Sequence, residues 1–294
     1  MRECCVPAPG LSHHSTTPSL HSPPRRLIVN ADDFGRSHSI NQAVIRAHRD
    51  GVLTSASLMV NEPDCAEAVA LAKENPKLGV GLHLALLCGR AALPPEKIPG
   101  LVNERGEFSD NPVGVGAKYF FNRGLRRQLR AEIHEQFARF RASGLPLDHV
   151  NGHLHLHLHP TVFGILCEDA AQLGIQRMRL TREPFWMDVP LANGRRWYRA
   201  AHAAIYFVLA GLARPRFRRK NFRHTHRVFG LLENDRVDET YVLKLLDLLP
   251  PGDSELYSHP SLDKFKHEFD ALISPRVKEL VERQKIQLIR YQDL

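Results

Sequence analysis

Three polar clusters, each at or near the end of a short apolar run, have the residue types of a metal centre. Asp32-Asp33 follows Leu27-Ile28-Val29-Asn30-Ala31. His83 lies near the end of Leu78-Gly79-Val80-Gly81-Leu82-His83-Leu84. A third run reads His153-Leu154-His155-Leu156-His157. A catalytic cation needs about three protein ligands and an open position for water. Asp33, His83 and one histidine of the third run meet that need without cysteine; His153, His155 and His157 all stand as candidates. A cation lowers the pKa of nearby water, and Asp32 could then accept the proton. His259, in Leu256-Tyr257-Ser258-His259-Pro260, could protonate a leaving amine or steady an oxyanion. Each feature has a plainer alternative. Asp32-Asp33 could cap the next helix, His83 could be a satisfied core histidine, and His259 could precede a surface turn.

These side chains need elements that aim them together. Adjacent residues on a regular strand point to opposite faces, so Asp32 and Asp33 require a break. A turn at Asp33-Phe34-Gly35 supplies one, and glycine permits it. At strand spacing, His153, His155 and His157 would share one side. The patterning predicts a strand ending at Ala31, a helix over 39–50, a strand over 55–60, a helix over 64–74 and a strand over 78–84. Such alternation implies a parallel sheet with crossover helices, whose sites gather at the C-terminal ends of the strands. Further along, helices are expected over 125–143, 161–173 and 274–285. Strands are expected over 149–155, at 178–180 and over 286–289, with a strand end at 255–260. Residues 88–122, rich in Pro and Gly, read as a long loop with small elements, of a length more often functional than idle.

The chain has 294 residues and 43% hydrophobic composition, normal for a single α/β barrel. Residues 1–24 hold mostly Pro, Ser, Thr and His and read as a disordered tail, leaving 25–294 as one domain. Five scattered cysteines without a C-x-x-C pair argue against a disulfide framework and fit a reducing compartment. The formal charge of +8 suits an acidic, phosphate-bearing or membrane partner. Much of it lies in an insert near 195–227. There an apolar stretch, Trp197 to Leu212, precedes Arg214, Arg216, Arg218, Arg219, Lys220, Arg223 and Arg227. That pattern suits an anionic membrane surface, or a buried helix followed by a solvated loop. No nucleic-acid-binding module surrounds it, so no nucleic-acid partner is expected. The expected location is the cytoplasm, with this segment at the inner face of the membrane. A homodimer is carried as a candidate assembly.

These motifs resemble the YdjC/ChbG family of carbohydrate deacetylases. The resemblance rests on Ile28 to Gly35, Gly51 to Ser57, Gly79 to Leu84, Asp148 to His157 and Ser258-His259-Pro260, in family order. It implies a distorted TIM-like (β/α) barrel and a divalent cation, magnesium or zinc. It also implies hydrolysis of an N-acetyl group on an amino sugar. Carried over by position, Asp33, His83 and His153 are the metal ligands, Asp32 is the base and His259 the acid-side histidine. His155 and His157 remain second candidates for the third ligand. Asn151 departs from the pattern, since many relatives carry Asp there. The phrase Leu147 to His155 and the later Arg182-Glu183-Pro184 resemble the hopanoid-biosynthesis-associated branch, which implies an N-acetylglucosaminyl hopanoid glycolipid. A soluble chitooligosaccharide is the alternative substrate. A non-catalytic metal- or glycan-binding protein is the alternative of another class.

Overall fold

A computed structural model describes residues 23–188, 191 and 196–294. The predicted disordered tail therefore lies almost wholly outside the described residues. Among the described residues, seven strands form one parallel sheet: β1 Arg25–Phe34, β2 Ser55–Leu58, β3 Gly79–Leu84, β4 Val150–Gly152, β5 Arg227–Phe229, β6 Gly252–Ser258 and β7 Gln287–Leu288. Their order is β4-β3-β2-β1-β6-β5. β7 pairs β1 at Arg26 and Leu27, below the point where β2 joins at Asn30. From Leu27 onward β1 is buried throughout. This fits its near-continuous apolar run, because a parallel strand covered on both faces has no solvent side for polar residues.

Eleven helices accompany the sheet among the described residues. They are α1 His38–Asp50, α2 Cys65–Glu74, α3 Pro112–Phe121, α4 Arg126–Ala142, α5 Pro160–Glu168, α6 Ala170–Leu173, α7 Phe185–Asp188, α8 Arg196–Lys220, α9 Glu239–Leu248, α10 Lys266–Ile273 and α11 Pro275–Arg283. α1 shows how the sequence builds them. Ser37 caps it, its Oγ accepting from the Ile40 N–H, and Ala43, Val44 and Ala47 face the core. Burying Val44 alone contributes about 1.5–3 kcal/mol. The cap is therefore Ser37, and Asp32 and Asp33 are free for another role.

The sheet is curled and open, an α/β fold consistent with a distorted TIM-like barrel. The gap between β4 and β5 is spanned by residues 176–182, which bond as isolated bridges. Arg179 N–H donates to the Val150 carbonyl at 3.0 Å, and Val228 N–H donates to the Arg182 carbonyl at 3.1 Å. The strand expected at 178–180 is thus a bridging segment. Other expectations change in detail. The helix over 161–173 divides into α5 and α6 around Asp169. The 88–122 stretch contains α3. β5, α9 and α10 carried no sequence expectation.

Candidate metal centre and catalytic cleft

The two aspartates diverge because β1 breaks regular geometry where they stand. The register with β2 shifts between Ala31 and Phe34, and Asp33 takes φ 63°. This left-handed backbone is rare for a buried residue other than glycine and marks stored strain. Gly35 follows at φ 94°, where an added Cβ would stand 3.0 Å from the Met59 carbonyl. Its N–H donates to Asn41 Oδ1 at 2.8 Å, which fixes the turn from inside the core.

The histidine run departs from the strand expectation. β4 ends at Gly152, and His153–Leu158 wind into a tight 3-10 segment in which Leu154 and His155 have positive φ. The three imidazoles therefore do not share a side. His153 Nδ1 lies 3.0 Å from Asp33 Oδ1. His155 turns to the Tyr257 hydroxyl at 3.0 Å and the Thr181 hydroxyl at 3.3 Å. His157 Nε2 donates to the Arg179 carbonyl at 3.0 Å. Burial drives the pKa of His155 well down, and that of His157 down to about 3.

Asp33, His83 and His153 come together, with one ligand atom from each within 4.8 Å of the others. All three are buried. His83 Nδ1 donates to Asn151 Oδ1 at 2.7 Å, leaving Nε2 with its lone pair. That atom is buried without a hydrogen-bond partner, 3.3 Å from Asp33 Oδ1. Two acceptors facing each other in a buried site call for a cation between them. One carboxylate and two imidazoles suit a divalent ion. Asp33 keeps its second oxygen on Arg36, at 2.8 Å. Burial alone would raise the Asp33 carboxyl, but the His153 and His83 imidazoles hold it well below the usual range.

Asp32 points the other way, into a network that sequence reading missed. Arg179 is fully buried and grips Asp32 with both terminal nitrogens, at 2.7 and 3.0 Å. The same guanidinium binds Glu255 and lies 4.5 Å over the Tyr257 ring. Asn30 and Asn151 amides also donate to Asp32 Oδ1, at 2.8 and 3.0 Å. Burial favours the neutral acid, but Arg179 and then His83 outweigh it and keep Asp32 ionised. Behind this layer, Ser57 Oγ accepts from the Asn30 and Asn151 amides and donates to His149, whose Nδ1 donates to Asp148. Asn151 thus links His83 to Asp32. In this chain an amide does what a carboxylate could not, because it accepts on one side and donates on the other.

Asp32, His83, His155 and His259 open into one cleft of about 270 Å³, with Tyr206 from α8 and Leu154 among its other walls. His259, part-buried, has Nδ1 3.9 Å from Asp235. The YdjC-like protein family profile matches residues 26–283, nearly the whole chain. The chain belongs to the YdjC-like family. It is 44% identical over 144 residues to a carbohydrate deacetylase of Geobacillus stearothermophilus, covering 49% of this chain and 55% of that protein. It is 39% identical over 163 residues to a chitooligosaccharide deacetylase of Serratia marcescens, covering 53% of this chain and 60% of the relative. The aligned stretch thus spans little more than half the length of these relatives. A solved structure from Enterococcus faecalis, described as a candidate cellobiose-phosphate cleavage protein, superposes with a TM-score of 0.71 at 24% identity. It covers 92% of this chain and 98% of that one, and shares the fold of this YdjC-like chain. The hub residues Arg179, Ser57 and Glu255 left little trace in the sequence, because a buried polar side chain looks like any strand residue until its partners are placed.

Proposed function

We propose that the protein is a divalent-metal-dependent hydrolase that removes the acetyl group from an N-acetylglucosamine-type sugar. The observation that carries this is the convergence of Asp33, His83 and His153 beside one cleft that also receives Asp32 and His259. A cation at the three ligands supplies Lewis acidity toward water and toward an amide carbonyl. Asp32, ionised and immobilised by Arg179, Asn30 and Asn151, stands ready to take a proton. Such a carboxylate is a weak base, suited to taking a proton from a water that the cation would acidify, as that water attacks the amide carbonyl. His259 reaches the cleft from the end of β6 and delivers a proton to the departing nitrogen. The balanced products are acetate and a free amino sugar.

A soluble chitooligosaccharide is the substrate we favour. Relatives described as chitooligosaccharide and carbohydrate deacetylases support it. The imidazoles and carboxylate that line the cleft suit a hydroxyl-rich glycan. A lipid-linked sugar, such as the glycolipid suggested by the hopanoid-branch phrases, is the second reading. The apolar surface of α8 beside the cleft favours it. Acetate release from N-acetylated chitooligosaccharides, lost on chelation and restored by divalent metal, tests the reaction. Metal binding without acetate release from any N-acetylated glycan would overturn it in favour of a binding protein.

A further inference from the structure

The long helix α8 has two faces, and only one belongs to the domain. Arg199, Ala203, Ala210, Ala213 and Phe217, spaced three, four or seven residues apart, lie along one face and are buried. A surface helix normally turns polar side chains outward. Here the opposite stripe is apolar: Trp197, Ile205, Val208 and Leu212 are 90%, 53%, 57% and 64% exposed. Alanines 201 and 204 between them are exposed too. Isolated exposed apolar residues are ordinary, but a continuous stripe marks an interaction surface.

Apolar grooves flank the stripe on both sides. One, of about 430 Å³, lies between α7 and α8 and is lined by Phe185, Trp186, Phe207 and Val208. The other, of about 440 Å³, lies between α5 and α8; Leu158, Phe163, Leu209 and Leu212 line it, with Arg216 and Arg219. The last two turns of the helix carry Arg214, Arg216, Arg218, Arg219 and Lys220, all exposed. No Asp or Glu occurs anywhere in Arg196–Lys220. The helix thus offers an apolar stripe continued by cations, with no acid of its own to neutralise them.

We infer that this face of α8 docks on an anionic lipid membrane surface. Charge complementarity selects that occupant. Exposed lysines and arginines are drawn to an anionic bilayer, while the apolar stripe sinks to the acyl boundary. A second copy meeting the same face would bring two acid-free helices together. The helix lies on the bilayer and does not cross it: no helix among the described residues is long and apolar enough to span a membrane. Tyr206 and His202 of the same helix line the catalytic cleft, so the docked face and the cleft are separated by about one helix diameter, roughly 10 Å.

Vesicle co-sedimentation of the full chain tests this without substrate, so its result is independent of the deacetylase reading. The protein is expected to sediment with phosphatidylcholine vesicles containing phosphatidylglycerol, and far less with phosphatidylcholine alone. Val208→Glu with Leu212→Glu should weaken partitioning by about tenfold or more. Arg216→Gln with Arg219→Gln should weaken it on anionic vesicles and reduce its salt dependence. All four positions are exposed, and circular dichroism with metal binding checks that the fold is kept. Failure to sediment with anionic vesicles overturns the inference. So does undiminished binding by both folded variants, or equal binding to neutral vesicles. A dimer seen by light scattering, dissociated by Val208→Glu with Leu212→Glu in protein that ignores vesicles, assigns the face to a second copy instead.

Discussion

The neighbouring acids point apart because Asp33, near the end of β1, takes left-handed backbone. Asp33 faces two imidazoles, and Asp32 faces a guanidinium and the cleft. This separation yields a sharp expectation. Asp32→Asn should cut acetate release by about 10²–10⁴-fold, the usual range for loss of a general base, while calorimetry finds the metal still bound. Unchanged turnover would remove Asp32 from the reaction. The histidines separate in the same way. His153→Ala should abolish stoichiometric metal in elemental analysis, whereas His155→Ala should retain it, since His155 bonds Tyr257 and Thr181. Asn151→Ala should weaken metal affinity by about 10–100-fold, through loss of the bond that orients His83.

Among the elements, the bridging segment 176–182 matters more than its lack of regular structure suggests. It spans the gap in the sheet and carries Arg179 into the interior, between Asp32 and Glu255. Removing one partner of a buried ionic group leaves the others uncompensated. Arg179→Met should therefore destabilise the fold by about 3–5 kcal/mol, read as a lower midpoint in urea unfolding. A change below about 1 kcal/mol would mean that the buried network contributes little. β3 and β4 set a second constraint. A Cβ at Gly81 would lie 2.6 Å from the His149 carbonyl oxygen and from its ring. Crowding there would displace the strand that carries His83.

For the molecule as a whole, buried histidines set the response to acid. The pKa of His157 falls from the ordinary 6.5 to about 3, and that of His155 falls well below 6.5, both through burial. A neutral buried histidine binds its proton more readily in the unfolded chain. For His157 the contribution is therefore complete above about pH 6.5 and is lost as pH falls toward 3; that of His155 is lost in the same direction. His157 adds a slope of about 1.4 kcal/mol per pH unit within that window. Urea unfolding between pH 4.5 and 7.5 should show stability falling with acid, and His157→Gln should remove about one proton from that dependence. An unchanged slope in the variant would mean that His157 is not held neutral. Metal binding acts on the same scale: an ion that binds only the folded chain, at about 100 times its dissociation constant, adds about 2.7 kcal/mol. Chelation should lower the unfolding midpoint accordingly.

Local pattern was enough for the alternating parallel architecture and for the three polar clusters, because apolar periodicity and strand-end polarity are properties of short segments. The break at Asp33-Phe34-Gly35 was legible too, since two adjacent acids on a strand demand one and Gly35 permits it. Tertiary structure decided the rest. It separated His153 from His155 and His157 through two left-handed residues, Leu154 and His155, where alternation in the sequence had implied a flat strand. It also made Arg179 the partner of Asp32 across 147 residues of chain, and Asn151 the link between that acid and His83. A buried hydrogen bond is specified by where two distant backbones meet, and no spacing within either segment records that.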